Sequence, residues 1–466
     1  LIIGEINIFD IKDNKIGNKK QIIDIDNITY GGDGIGALSS GKVIFVPKTI
    51  PGEKHLVEIT KEKKNHSYGV TKNTLKTSKS RINPKCEVFE DCGGCQWQHI
   101  NYEKQKDFKE QILSDSLLKI GKLKKIKINP IIGSKYPWYY RNKSIMPFTK
   151  EAGRIVAGFY KRGTHQVIKN QTCYIQHQLI NRIKRYTLDL LNEYKNISVY
   201  DENINKGLLR HLHIRVGVCT NQALLTFITT DERFEQLEEI ADILIKKIPE
   251  LEGIMRNINN KKTNVILGNR SHLITGKGYI YDYIGNRKYK IGLSSFFQIN
   301  TLQSKKLYDV VQRCMDMHGN KIIVDAYSGI GSIAISLKEN YEAVYGIESN
   351  QNAVKDSCYN AAINGLNDCH FIKGDVKKEI PKFLNEVKRP DIIIFDPPRS
   401  GLNKEILKTV IDHKIKEIIY VSCNPTTLAR DLKILKKEYD ILKVQPVDMF
   451  PQTYHIETVV KLRRLL

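Results

Sequence analysis

The chain has no uninterrupted apolar run approaching the ~20 residues that a membrane-spanning helix needs, which excludes an integral helical membrane protein. Its start, Leu1-Ile2-Ile3-Gly4-Glu5, lacks the basic flank and apolar core of a secretion signal. Nine cysteines, an odd number scattered over 466 residues, do not make a dense disulfide framework. The expectation is a cytoplasmic protein with reduced thiols. Acidic residues are scarce against basic ones, 51 to 74, for a net charge of +23 and a pI near 9.4. That excess suits a polyanionic partner, and nucleic acid comes before membrane because no spanning stretch exists. Lys, Asn and Ile are common throughout, so the location of charge says more than its total.

The length leaves room for about three domains. From about residue 17 to 80, short apolar runs alternate with glycine turns, as in Gly31-Gly32-Asp33-Gly34-Ile35-Gly36 and Val43-Ile44-Phe45-Val46-Pro47. Strands at this spacing predict a small barrel. Thr60 to Lys85 then carries eight basic residues, Lys61, Lys63 and Lys64 among them, against the single acid Glu62. Such a run is either a solvated rim or a face that tracks phosphates.

Cys86, Cys92 and Cys95 form a C-x5-C-x2-C array whose intervening Gly93 and Gly94 let the backbone wrap closely round a bound centre. Three thiols in ten residues are seldom packing; Cys173 is the next cysteine along the chain. All-thiolate ligation suits zinc or an iron-sulfur cluster, and spacing does not choose between them. Residues 99–120 read as an amphipathic helix, and Tyr136 to Lys143 interleaves aromatics with bases, a pattern able to stack and hold an unpaired strand. From 150 to 290 strands and helices mix as in an α+β domain.

The last part predicts a doubly wound α/β domain. Strands at 321–325, 343–348, 391–395 and 417–421 alternate with a glycine loop over 326–331 and helices, the first over 332–338. Glu348 ends the second strand, 23 positions after Asp325, where a carboxylate meets ribose hydroxyls. The glycine loop alone admits either NAD or S-adenosylmethionine. Asp396-Pro397-Pro398-Arg399 at a later strand edge favours S-adenosylmethionine, since hydride transfer has no use for that loop or for a thiol beside it. Cys423, in Ser422-Cys423-Asn424-Pro425, is the candidate nucleophile. Asn424 is a good N-cap and Pro425 a good first helical residue, so a helix is expected over 426–437, with its N-terminus lowering the thiol pKa.

Together these motifs resemble the RNA uracil-5 methyltransferases, and within them the 23S ribosomal RNA 5-methyluridine branch. The resemblance runs from the glycine-rich barrel, which looks like a TRAM domain, through Cys92-Gly93-Gly94-Cys95-Gln96 to the segment from Phe450 to Thr458. It implies an N-terminal TRAM or OB-like barrel (1–80), a central α+β domain with the cysteine cluster (81–290), and a Rossmann-like class I methyltransferase domain (291–466). It further implies a 4Fe-4S cluster on Cys86, Cys92, Cys95 and Cys173, cofactor contacts from Gln298, Tyr327, Glu348 and Asp396, with Asp375 a weaker candidate, and a monomer acting on RNA. Tyr454 departs from the family, which has histidine there more often.

The chemistry also follows from the residues. C5 of uracil is a weak nucleophile, so a thiolate adds at C6 and creates an enolate whose C5 attacks the sulfonium methyl. A base must then remove the C5 proton, and Glu457, 34 residues after Cys423, follows the last aromatic loop. The rivals are a tRNA uracil-5 methyltransferase, an RNA cytosine-5 methyltransferase and a non-catalytic RNA-binding module. The cytosine enzymes place a Pro-Cys pair in the Asp-Pro loop; here Pro397 is followed by Pro398.

Overall fold

A computed structural model describes residues 19–315, 321–337, 341–386 and 389–465. Lys338, the expected end of one helix, lies outside them. The chain falls into two compact units: one takes the chain up to Phe108 with Phe159–Ile168 and Gln452–Tyr454, the other Lys109–Gly158, Lys169–Pro451 and the chain from His455.

In the first unit, β1 (Lys20–Ile28), β2 (Gly34–Ala37), β3 (Val43–Val46), β4 (Lys54–Glu62) and β5 (His66–Lys76) close into a barrel in the order β1-β2-β3-β5-β4. Period-two alternation sends Ile23, Ile25, Ile44, Val46, Val57 and Ile59 inward, which is the expected small barrel. Gly36 allows the close pairing of β1 and β2, since a Cβ there would lie 2.4 Å from the Asp24 carbonyl oxygen. The fully buried Glu53 accepts from Arg81 Nε (2.6 Å) and His55 Nε2 (2.9 Å), which ties the segment after the barrel to its wall.

Helix α1 (Tyr102–Lys119) follows. Its buried positions Gln105, Phe108, Lys109, Ile112, Leu113, Ser116 and Leu117 recur at helical spacing, but Gln105, Lys109 and Ser116 interrupt the apolar stripe expected of residues 99–120. Lys109 is tolerated because it meets Asp448: the two charges, both fully buried, pair at 2.6 Å.

Next come β6 (Lys143–Glu151), β7 (Arg154–Tyr160), β8 (Val167–Lys169), α2 (Gln178–Leu191), β9 (Leu209–Val216), β10 (Ala223–Thr229), α3 (Leu237–Lys247), β11 (Leu251–Ile258) and β12 (Arg270–Gly276). The strands build a mixed sheet that runs β12-β11-β10-β9-β6-β7-β8. A hairpin of β13 (Tyr279–Ile284) and β14 (Arg287–Gly292) leads into α4 (Thr301–Cys314).

The remaining elements are β15 (Ile322–Ala326), α5 (Ser332–Ser336), β16 (Ala343–Glu348), α6 (Gln351–Ile363), β17 (Cys369–Lys373), α7 (Val376–Glu386), β18 (Ile392–Phe395), α8 (Lys404–Asp412), β19 (Glu417–Ser422), α9 (Pro425–Leu435), β20 (Tyr439–Val447) and β21 (Glu457–Arg464). The sheet order is β17-β16-β15-β18-β19-β21-β20, with only β20 and β21 antiparallel to their neighbours. Strands β15, β18 and β19 read as continuous apolar runs because helices cover both faces, with Ile393 and Tyr420 in one core and Ile394 and Val421 in the other. Strand order reverses between β15 and β18, and in such sheets the crevice beyond the strands' carboxyl ends takes the ligand.

Candidate active site

The glycine loop leaves β15 through Tyr327, whose φ of +67° is left-handed. The Tyr327 and Ser328 amides both donate to the Ile347 carbonyl, at 3.0 and 3.1 Å, and stitch the loop over the end of β16. Gly331 must be glycine: its φ is +80° and a Cβ would lie 2.8 Å from the Phe371 ring. Glu348 closes the same constellation, accepting from the Gly329 amide at 3.2 Å and the Asn350 amide at 2.7 Å. Asn350, not Glu348, caps α6, through the Asn352 and Ala353 amides.

Asp325 is fully buried; its Oδ2 accepts from the Ala334 amide at 3.1 Å, while its Oδ1 and the Ser328 hydroxyl have no partner among the described residues. Burial, with the charges of Asp396 and Glu348 added, pushes the Asp325 carboxyl up to about 8. Tyr327 is pushed up to about 12, by burial and then by Asp375. Gln298 is held separately: it is buried, and its carbonyl accepts from Asn142 Nδ2 at 2.8 Å.

Asp396 follows β18 directly, and burial pushes its carboxyl up to about 7. The buried Glu457 is raised well above the ordinary carboxylate range, by burial first and by Asp396 second. Cys423 follows β19. Register explains how these groups meet: β19 and β21 are antiparallel with Ser422 opposite Thr458, so Cys423 and Glu457, each one residue on, come together. Asn424 Nδ2 (3.0 Å) and Thr427 Oγ1 (3.1 Å) both donate to the Arg399 carbonyl, locking the Asp-Pro-Pro loop to the cysteine loop.

Helix α9 begins at Pro425 with Asn424 as its cap, as expected. The expected depression of the Cys423 pKa is not what the structure shows. Burial, then Glu457 and Asp396, push the thiol up to about 12, and only Arg399 among the nearby charges opposes them. Desolvation beside two carboxyls outweighs a helix terminus, whose partial charge is about half an elementary charge.

Cys86, Cys92 and Cys95 lie in the first unit and Cys173 in the second, all partly exposed. Among the described residues no group of three or more His, Cys, Asp or Glu side chains is gathered so that it could hold a metal ion.

Two groups escaped the sequence reading. Arg399 was visible only as the end of a motif, and its charge acts on Cys423 and Glu457 through the fold. Phe296 is 62% exposed between the buried Ser295 and Phe297, an apolar ring next to the Gln298 segment.

Residues 102–465 match the family described as tRNA (uracil-5-)-methyltransferase, and residues 18–71 match the TRAM domain. The chain belongs to this methyltransferase family. A Bacillus cereus protein described as an uncharacterized RNA methyltransferase is 40% identical over 454 residues, 96% of this chain and 97% of its own. One of the same description from Caldanaerobacter subterraneus is 38% identical over 452 residues, covering 97% and 99%. The solved Pyrococcus abyssi tRNA (uracil-54, C5)-methyltransferase in complex with S-adenosyl-L-homocysteine superposes with a TM-score of 0.76 at 28% identity, over 95% of this chain and 99% of that one. The protein is therefore an S-adenosylmethionine-dependent RNA uracil-5 methyltransferase with a TRAM barrel. For such an enzyme the orphaned Asp325 Oδ1 and Ser328 hydroxyl, in a loop closed by Gly331, fit a cofactor rich in hydroxyl and amino groups. No helix among the described residues is long and apolar enough to cross a membrane.

Proposed function

We propose that this RNA uracil-5 methyltransferase acts on 23S ribosomal RNA through a covalent adduct between Cys423 and C6 of the target uridine, with Glu457 as the base. The observation that carries the mechanism is the Ser422–Thr458 register, which sets the thiol and the carboxyl side by side next to Asp396. S-adenosylmethionine supplies a methyl group on a sulfonium centre. Gln298, Tyr327, Glu348 and Asp396 hold it.

Cys423 adds at C6 as its thiolate, the form in which it is later expelled, and the two carboxyls oppose that charge. Arg399 favours the thiolate, and the positive charge that S-adenosylmethionine would supply, were it held by Asp396, would act in the same direction. Addition makes C5 nucleophilic; C5 takes the methyl group and neutral S-adenosylhomocysteine leaves. Glu457 then takes the C5 proton, the C5=C6 bond re-forms, and the thiolate is expelled. The raised Glu457 pKa suits a base that holds this proton until elimination is complete.

The ribosomal target rests on the barrel and Cys92-Gly93-Gly94-Cys95-Gln96, which resemble that branch. A transfer RNA target is the second reading, favoured by the likeness to the Pyrococcus enzyme. The proposed division of labour is an RNA-binding barrel (1–80), a central RNA-binding domain (81–290) and the methyltransferase domain (291–466). A 4Fe-4S cluster on Cys86, Cys92, Cys95 and Cys173 belongs to the same reading, tested by iron content of anaerobically purified protein.

The Cys423→Ala variant is expected to lose methylation while binding S-adenosylhomocysteine within a few fold of wild type. 5-Fluorouridine RNA, which blocks removal of the C5 group, traps wild type and not the variant as a denaturant-resistant adduct. Methyl transfer by Cys423→Ala would overturn the mechanism. Mapping 5-methyluridine in ribosomal and transfer RNA, with and without the gene, decides between the two targets.

A further inference from the structure

Two cavities in the second unit are lined by none of the residues placed at methyl transfer. The larger, about 920 Å³, is basic: Arg154, Lys169, Arg182, Lys184 and Arg185 line it against the acids Asp189 and Glu250. The smaller, about 500 Å³, is aromatic, with Tyr136, Trp138, Tyr139 and Tyr140 in its wall. They are adjacent, with Tyr139, His177 and Gln178 in the walls of both.

The walls are built. Lys184 is only 2% exposed, and its ammonium donates to the Asn170 carbonyl (2.7 Å) and Oδ1 (3.1 Å). Among the described residues no carboxylate pairs with it. Burial disfavours this ammonium, with Cys173 the one nearby charge that supports it among the described residues, and a bound anion would stabilise it further. Asn181 fixes the facing loop, its Oδ1 accepting from the Cys173 amide (2.9 Å) and its Nδ2 donating to the Cys173 carbonyl (3.1 Å). Tyr139 has a left-handed φ of +54°, and its amide donates to the Tyr174 carbonyl at 2.8 Å. A bulky residue persists in that conformation only where its surroundings impose it, and such residues gather at binding sites. The ring of Tyr136 is left 54% exposed at the aromatic mouth.

An aromatic cavity beside a basic one matches a nucleotide, with a flat π face at one end and phosphate at the other. Together the volumes exceed what one nucleotide needs. We propose that this double cavity binds one unpaired nucleotide of the RNA substrate other than the target uridine, its base against Trp138 and Tyr139 and its phosphates toward Lys184 and Arg185. The proposal rests on RNA as the substrate. A free nucleotide carries the same chemistry, so the test includes one.

The chain has two tryptophans, and Trp97 is fully buried, so Trp97→Phe leaves Trp138 as the only indole reporter. Full-length Trp97→Phe is titrated with single-stranded substrate RNA and, separately, with uridine monophosphate. The expected result is saturable quenching of Trp138 by RNA, with the monophosphate at least tenfold weaker. In the otherwise native chain, Trp138→Leu and Arg185→Glu should each raise KM for RNA, Trp138→Leu by roughly tenfold as for loss of one base stack. Both should leave kcat and S-adenosylhomocysteine affinity unchanged. Unaltered Trp138 emission with RNA bound, or unaltered KM in both variants, overturns the proposal while methyl transfer and the catalytic reading stand. Monophosphate binding as tightly as RNA overturns the RNA assignment in favour of a free-nucleotide site. Should Trp97→Phe fail to fold, the two KM measurements carry the test alone.

Discussion

At the scale of single residues the active site is a set of buried carboxyls whose pKa values are raised. Asp396 and Asp325, pushed up to about 7 and about 8, hold protons more tightly folded than unfolded. The stability this contributes is fully present below the ordinary value of 3.8 and is lost as pH rises through 7 and 8. The Tm of ligand-free protein should therefore fall over that window, and Asp396→Asn should flatten the part ending near 7. S-adenosylmethionine, a sulfonium, should gain affinity over uncharged-sulfur S-adenosylhomocysteine as pH rises through the same range, measured by calorimetry. A pH slope identical in wild type and Asp396→Asn would remove Asp396 from this role. Glu457→Gln tests a later step: addition and methyl transfer precede proton removal, so a methylated RNA adduct should accumulate and resolve slowly on denaturing gels. Failure to form any adduct would place Glu457 earlier, in binding or activation.

At the scale of elements, the segment joining β20 to β21 carries the site's shape. Lys109 of α1 donates to Asp448 Oδ1 (2.6 Å) and to the Phe450 carbonyl (3.1 Å), and Asp448 Oδ1 also accepts from the Phe450 amide. Farther along, His455 packs edge-on against Phe450, two residues before Glu457. Removing one partner takes this counter-charge from the other, which stays buried. Lys109→Met should cost about 3–5 kcal/mol in denaturant unfolding and lower activity. The double variant Lys109→Met with Asp448→Leu should recover most of that stability, because an apolar pair of similar volume replaces a buried ion pair at little cost. If the double variant is as unstable as the single one, the pair acts through packing and not through charge.

For the whole molecule, charge sets how RNA is held. Lys61, Lys63 and Lys64 are exposed on and just past β4 of the barrel. RNA affinity should fall with salt at a slope of about −0.7 per phosphate contact, and reversing these three charges should weaken binding and flatten that slope. An unchanged slope would move the phosphate track elsewhere, the basic cavity beside Lys184 being the next place to look.

How far the sequence carries differs among these scales. The barrel and the doubly wound sheet are local patterns: alternation with glycine turns in β1 to β5, apolar runs with polar ends in β15, β18 and β19, and the Asn424-Pro425 start of α9. Residue type and spacing encode these through neighbours within about a turn or a strand. The cysteine's electrostatics were not legible, because the helix terminus is a sequence neighbour of Cys423 whereas Glu457 and Asp396 are neighbours only across the sheet. Nor was Lys109 at a buried position, since its partner Asp448 stands 339 residues away. The sequence alone determined which elements form and which chemistry its strand ends can carry. Only the tertiary structure decided which ends meet, because antiparallel pairing of β19 with β21 is a long-range register and the pKa of a buried group answers to distance in space.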